Sequence, residues 1–237
     1  MKVGGVLELS TVDYPGKPAA VVFLYGCNFR CPFCHNFDLV EGGKWKEMSE
    51  EDILKKIEGE GSFIDGIVIS GGEPMIQDIE RLCKLAKEMG LSVKVDTNGS
   101  FPEQLSSLLN KGLVDFIAMD VKNTIDKKGY AFAKADPFVE RVKESLDIIL
   151  KSKVNYEIRM PVIEGVNDND IANVAKAVKG AKTFVLEQFR PDNGTLDKSF
   201  GNKKGPSREK MLTLADAFDN PVVKIRTAEC GEEKITP

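Results

Sequence analysis

Runs of β-branched and other apolar residues alternate along this chain with segments in which apolar residues recur every three or four positions. AAVVFLY (19–25) reads as a strand and SEEDILKKIEG (49–59) as a helix, and the pair repeats as GIVIS (66–70) with IQDIERLCKLAKEM (76–89) and LSVKVDT (91–97) with FPEQLSSLLNKG (101–112). The rhythm continues through LVDFIAMDV (113–121), PFVERVKESLDIILKS (137–152), VNYEIRMPV (154–162), NDNDIANVAKAVKG (167–180) and TFVLEQF (183–189). A helix near 207–219 and the strand VVKIRT (222–227) end it. Strands separated by helices need crossover connections and therefore run parallel. The pattern predicts an α/β fold with five or six parallel strands, a partial (β/α)6 barrel of the TIM type, with a doubly wound open sheet as the alternative. Nothing marks a break, so residues 1–237 are expected to form one domain, its core about 18–190 and its last helix and strand within 206–227.

Composition narrows the class. With 42% hydrophobic and 30% charged residues the chain reads as a soluble globular protein. Lys+Arg 33 against Asp+Glu 37 gives a formal charge of -4, so no nucleic-acid partner is expected. The opening MKVGGVLELSTVDYPG has no basic segment followed by an apolar run, and no stretch approaches the ~20 apolar residues of a membrane span. No membrane association and a cytoplasmic location are the expectations.

The cysteines change the picture. GCNFRCPFCHN (26–36) holds Cys27, Cys31 and Cys34, three of the five cysteines in the chain. An odd count with this crowding does not suit a secreted disulfide framework, and clustered thiolates in a reducing compartment hold metal. A closed zinc site wants four protein ligands, and no second CxxC follows; His35, the only histidine, would have to complete a Cys3His set. A 4Fe-4S cube has four iron corners, so three thiolates would leave one iron open to a ligand from outside the protein. Thiolate clusters suit either metal. Cys83 falls on the apolar face of ERLCKLAKEM and reads as a core thiol; Cys230 has no visible partner. The basic run KSFGNKKGPSREK (198–210) reads as a solvated loop.

Function in parallel α/β folds sits at the C-terminal ends of the strands. Those ends carry GCNFRC, SGGEP (70–74), DTNG (96–99), MDVKN (119–123), RMPVIEGVND (159–168) and EQFRPDN (187–193). Each alone reads as a turn, and Asp120 with Lys122 as an ordinary turn pair. Together they put polar, glycine-rich segments on one rim beside the thiols.

With GCNFRCPFCHN, IVISGGEPMIQ, VKVDTNG and IAMDVKN, the chain resembles the radical S-adenosylmethionine superfamily, in particular its branch that activates glycyl radical enzymes. STVDYPGKPAAVVF and EQFRPDN are similar to the activating proteins of anaerobic ribonucleotide reductases, close to pyruvate formate-lyase activating enzymes. The resemblance implies one 4Fe-4S cluster on Cys27, Cys31 and Cys34, and S-adenosylmethionine chelated at the fourth iron. Reductive cleavage would give a 5'-deoxyadenosyl radical that takes hydrogen from a backbone glycine of a partner enzyme. It further implies that Gly72 lets its backbone approach the methionyl amine, with Glu73 accepting from that amine or organising the turn. Phe33, His35 and Asn36 would hold adenine. Asp96 and Asp120 would meet the amine or a cation, Lys122 the cofactor carboxylate or the acidic groups, and a monovalent cation would lie among Asp96, Thr97, the backbone of Ala118 and Asp120.

One departure matters: where pyruvate formate-lyase activators carry a ribose-contacting histidine, this chain has Phe189-Arg190, and Arg190 donates hydrogen bonds but accepts none. That favours the ribonucleotide reductase type of partner. No second cysteine cluster is present, so the electron would come from flavodoxin or ferredoxin. A radical enzyme acting on a small molecule or modified nucleobase, similar to carboxydeazaguanine synthases, an activase of the pyruvate formate-lyase type, and a non-enzymatic electron-transfer or zinc-held module are the competing expectations.

Overall fold

Val21, Val22, Ile67, Val68, Ile69, Val93, Val95 and Ile117 are all fully buried, which requires cover on both faces of the sheet that they build. β-branched side chains are stiff and fill such a surface well. The computed structural model describes residues 1–58, 63–192 and 194–235; Gly59, the expected end of one helix, and Asn193, the last residue of EQFRPDN, lie outside them.

The strands are β1 (Lys2–Ser10), β2 (Ala19–Leu24), β3 (Lys46–Glu47), β4 (Gly66–Gly71), β5 (Ser92–Thr97), β6 (Phe116–Asp120), β7 (Asn155–Val162), β8 (Thr183–Gln188), β9 (Val222–Thr227) and β10 (Gly231–Ile235). The helices are α1 (Phe37–Val40), α2 (Glu50–Glu58), α3 (Glu80–Glu88), α4 (Pro102–Asn110), α5 (Lys127–Ala131), α6 (Val139–Lys151), α7 (Ile171–Ala177) and α8 (Arg208–Ala215). They form one open sheet in the order β10-β9-β8-β7-β6-β5-β4-β2-β1-β3. β2 and β4 to β9 are parallel throughout.

The expected α/β class and partial barrel hold, but the parallel run is longer than the predicted five or six strands. β9 continues it as a seventh, paired from Thr183↔Val222 to Glu187↔Arg226, because α8 supplies one more crossover. β1 and β10 cover the two sides of that run as antiparallel neighbours of β2 and β9.

The helices cover one face. Ile53 and Ile57 of α2, Leu82, Cys83 and Ala86 of α3, Leu105 of α4, Val142 and Ile149 of α6, Val174 of α7 and Met211 of α8 join Ile67, Ile69, Val93, Val95, Ile117 and Met119 in one core. Cys83 is the core thiol expected. The alternate strand residues form a second, smaller cluster on the inner face, where Tyr14, Ala19, Val21 and Val68 pack with Phe23 and Phe116. Above that floor the inner face turns polar. The basic run contains a short 3-10 turn (Lys198–Asn202) capped by Asp197, and Ser207 caps α8. No helix among the described residues is long and apolar enough to cross a membrane.

The seventh strand is pinned at its entry by Asn220, whose Nδ2 donates to the carbonyls of Val178 at 3.1 Å and Ala181 at 2.9 Å. Asn220→Ala removes both bonds and strands the Ala181 carbonyl, while Val178 O keeps the Ala181 amide at 3.0 Å, and urea unfolding should show a loss of about 1–3 kcal/mol with an unchanged m-value.

Candidate active site

The C-terminal ends of the parallel strands surround a cavity of about 720 Å³. Of the residues singled out in the sequence, Cys27, Cys31, Phe33, Cys34, His35, Asn36, Gly72, Asp96, Thr97, Asp120, Lys122 and Arg190 all line it. Glu73 does not. Its side chain is fully buried, with Oε1 accepting from Thr97 Oγ1 at 3.0 Å and Met75 N at 3.2 Å, and Oε2 from Asn98 N at 2.6 Å. Of its two expected roles the geometry matches the organising one: it ties the turn after β4 to the end of β5. Burial pushes its carboxyl up to about 7 against the pull of those three donors.

The cysteine loop is fixed by close backbone packing. β2 and β4 run in register to Leu24↔Gly71, and there Gly72 N donates to Leu24 O at 3.0 Å and Glu73 N to Gly26 O at 2.8 Å. A Cβ on Gly72 would stand 2.0 Å from Gly26 O and 3.2 Å from Cys27 Cβ. Gly71 has φ +119°, a conformation open to glycine. From the other side the loop is held by Gly26 N to Leu39 O at 2.7 Å, Arg30 N to Ala133 O at 2.8 Å, Leu196 N to Cys34 O at 3.1 Å and Asp197 N to Pro32 O at 2.9 Å.

Within this frame Cys31 is buried and Cys27 and Cys34 half-buried. Cys27 Sγ accepts from Phe29 N at 3.4 Å and Asn98 Nδ2 at 3.9 Å, and Asn98 is itself fixed through Asn28 and Ser100. Burial pushes the Cys27 thiol up to about 11 and the Cys31 thiol up to about 12, and raises Cys34, while the positive charge of Lys122 pulls against all three shifts. Phe33 is buried between rings, stacked on Phe132 at 5.6 Å and edge-on to Phe189 at 6.5 Å. His35 and Arg190 are exposed at the rim.

Opposite the thiols stands a set of charges. Asp120 accepts from Arg159 Nε at 2.7 Å and Lys122 Nζ at 3.1 Å; Asp96 accepts from Lys94 and from Ser70 Oγ at 3.0 Å, with Arg159 Nη2 at 3.7 Å. Arg159 and Lys122 beside Asp120, and Lys94 and Arg159 beside Asp96, hold both carboxyls below the usual range despite burial. Asp120 raises Lys122 and Arg159 in turn. A second group continues around the wall: Arg226 donates to Glu187 at 2.7 Å, Glu157 at 2.8 Å and Glu232 at 2.9 Å. Arg159 and Arg226 line the cavity, and Lys94 and Glu157 are buried behind it; the sequence reading named none of the four individually, and their signal is a charge at alternate positions of VKVDT, NYEIRM and VVKIRT, with Arg159 also opening the rim segment RMPVIEGVND.

The model of the Radical SAM superfamily matches residues 21–178. The chain belongs to that superfamily. A protein of Methanocaldococcus jannaschii, named provisionally a glycyl-radical enzyme activating enzyme, is 36% identical over 232 residues, 94% of this chain and 95% of its own. Pyruvate formate-lyase-activating enzyme of Clostridium pasteurianum is 27% identical over 200 residues, 78% of this chain and 80% of its own. Within the superfamily the chain is thus a member of the branch of enzymes that activate glycyl radical enzymes. The fold is also that of a radical SAM methyltransferase from Sphaerobacter thermophilus, with a TM-score of 0.67 at 15% identity over 92% of this chain and 68% of that one. The non-enzymatic module is thereby set aside.

The family implies a 4Fe-4S cluster and S-adenosylmethionine, and the donor set fits the cluster. Three thiols face one cavity with N–H donors and a lysine at hand to favour thiolate. No three Cys, His, Asp or Glu side chains among the described residues group as the ligands of a single metal ion would. A cube presents its irons at separate corners and does not ask the thiols to converge on one atom.

Two outcomes follow from this geometry. Gly72→Ala must displace the cysteine loop, so after anaerobic reconstitution the variant should hold less iron and sulfide per chain than wild type, and melt at lower temperature. The lowered carboxyls of Asp96 and Asp120 contribute stability that is fully present above the unfolded value of 3.8 and lost as pH falls through their lower folded values. The urea-unfolding free energy should therefore drop steeply below that pH, and less steeply in Asp120→Asn.

Proposed function

We propose that Cys27, Cys31 and Cys34 bind one 4Fe-4S cluster, that S-adenosylmethionine fills the cavity beside it, and that the chain activates a glycyl radical enzyme of the anaerobic ribonucleotide reductase type. The observation that carries this reading is that the three thiols and the Asp96, Asp120, Lys122 set line the same cavity, whose size lies within the ~300–1,000 Å³ range of small-molecule sites. When bound, the cluster supplies the electron that cleaves S-adenosylmethionine to methionine and the 5'-deoxyadenosyl radical.

The protein's own residues bind and orient. Lys122 faces the thiols as well as Asp120, and so meets the methionyl carboxylate while lowering the cost of three thiolates. The methionyl amine is a donor; the backbone after Gly71 and the Asp96 carboxylate are acceptors suited to it. Phe33, His35 and Asn36 take the adenine, and Arg190 donates toward the ribose hydroxyls. Residues 1–237 act as one unit in this reading.

The target is a backbone glycine on a loop of the partner. A glycyl radical is stabilised by the flanking amide groups, and a glycine offers no side chain to block its Cα. The ribonucleotide reductase type is favoured by Arg190 at the position where a histidine is expected for the other type. The pyruvate formate-lyase type has in its favour the similarity to the Clostridium pasteurianum enzyme. Flavodoxin or ferredoxin is the electron donor proposed.

Electron paramagnetic resonance distinguishes these. Reconstituted protein with S-adenosylmethionine, a strong reductant and an anaerobic ribonucleotide reductase should give a glycyl radical doublet that Cys31→Ala abolishes. A doublet only with pyruvate formate-lyase would change the partner and keep the chemistry. Absence of 5'-deoxyadenosine under any reducing condition would remove the reading.

A further inference from the structure

The resemblance to glycyl-radical activases implies a monovalent cation among Asp96, Thr97, the carbonyl of Ala118 and Asp120, and the residues present do not fit one. A cation in such a place needs negative charge that the protein has left unbalanced, and carboxylate oxygens not already turned to its own donors. Neither is on hand, although each oxygen keeps a lone pair for one further neutral donor such as an amine. Each oxygen of the two carboxylates already has a donor from the protein: Lys94 and Ser70 on Asp96, Arg159 and Lys122 on Asp120. Thr97 Oγ1 is engaged as well, donating to Glu73 and accepting from Gly99 N at 3.0 Å.

The charges close in the same way. Arg159 reaches both carboxylates, at 2.7 Å and 3.7 Å, and Lys94 pairs with Asp96. Even if Lys122 turns to the methionyl carboxylate and frees one oxygen of Asp120, Asp96 and Asp120 still face Lys94 and Arg159, and Glu157, 3.9 Å from Arg159, is paired by Arg226 at 2.8 Å. A further positive ion would be unpaired there, and a buried unpaired charge is costly.

Lys94 is the unusual member of the set. Its side chain is 2% exposed, on the inner face of a central strand, where a barrel ordinarily carries an apolar residue. A lysine is rarely buried this far unless it is paired. Its ladder partner on β6 is Phe116, and the ammonium turns up the strand to Asp96.

We propose that the Lys94 ammonium is a built-in cation: it takes the place of a free monovalent ion, orienting Asp96 from below the cofactor site, so that this enzyme works without sodium or potassium. Lys94 is on this account a positioning residue, acting through Asp96. The proposal rests on reading the cavity as the S-adenosylmethionine site.

The test replaces sodium and potassium with tetramethylammonium at constant ionic strength and reads two quantities on the reconstituted full chain: melting temperature, and 5'-deoxyadenosine formed per minute. Wild type should be indifferent in both. Lys94→Ala, which opens room for an ion and restores a charge deficit, should lose rate by about 10-fold or more in tetramethylammonium. It should also recover on adding potassium or sodium, with a melting temperature that rises with their concentration, as for any ligand of the folded state. Lys94→Arg should keep the wild-type indifference. A wild-type rate or melting temperature that depends on potassium or sodium overturns the proposal, as does a folded Lys94→Ala that ignores both ions. If Lys94→Ala does not fold, the wild-type dependence decides alone. If no preparation makes 5'-deoxyadenosine, the functional reading fails, and the melting temperatures still decide whether Lys94 stands in for an ion.

Discussion

The C-terminal ends of two neighbouring parallel strands, β2 and β4, come together at a point where no side chain fits. The carbonyl of Gly26 and the α-carbon of Gly72 are too close for a Cβ between them, and the amides of Gly72 and Glu73 are bonded across the gap. Everything at the rim is measured from that contact. It sets the height of the cysteine loop above the sheet and turns Glu73 inward. Through Glu73 it locks the end of β5, where Thr97 and Asn98 serve as donors. Asn98 then reaches back to the sulfur of Cys27. The ends of three strands are thereby one rigid unit, which is what a site needs if a cofactor is to be held to within a fraction of an ångström.

The inner face solves a different problem. A closed barrel fills its interior with layers of branched apolar side chains. Here the apolar layer is thin, built around Val21, Val68 and Phe116 with Lys94 in the same row, and above it the strands present Asp96, Asp120, Glu157, Arg159, Glu187 and Arg226. Charges of opposite sign alternate from β5 to β9, so each is buried only in company. Such pairs add little to stability over an apolar core, but losing one partner is expensive, and the wall is held to one arrangement.

Much of this was legible in the sequence. Valine and isoleucine runs marked β2 and β4 to β8 because strands covered on both faces need continuous apolar stretches. The thiols, SGGEP, DTNG and MDVKN were legible because chemistry that sits in turns leaves polar and glycine-rich punctuation. The rest was hidden for identifiable reasons. β1 carries a diglycine, and Leu7 and Leu9 are exposed, so its apolar pattern does not follow burial. β10, GEEKI, has three charged residues in a row and no apolar period. Arg159 opens the rim segment RMPVIEGVND, but its pairing with Asp120 and Asp96, 39 and 63 positions back in the chain, leaves no local trace. Glu73 read equally as a ligand or as the organiser of its turn; its partners 24 and 25 residues away match the second reading.

From β4 to β10 the order of strands in the sheet is their order in the chain. Synthesis therefore adds each strand to an edge already formed, with the thiol loop emerging before Arg226. Until β9 docks, Glu157 lacks its closest guanidinium, and the wall around it stays open to water. A chain that has built the sheet only as far as β8 thus has its cysteines in place but lacks the Arg226 wall on the other side of the cavity.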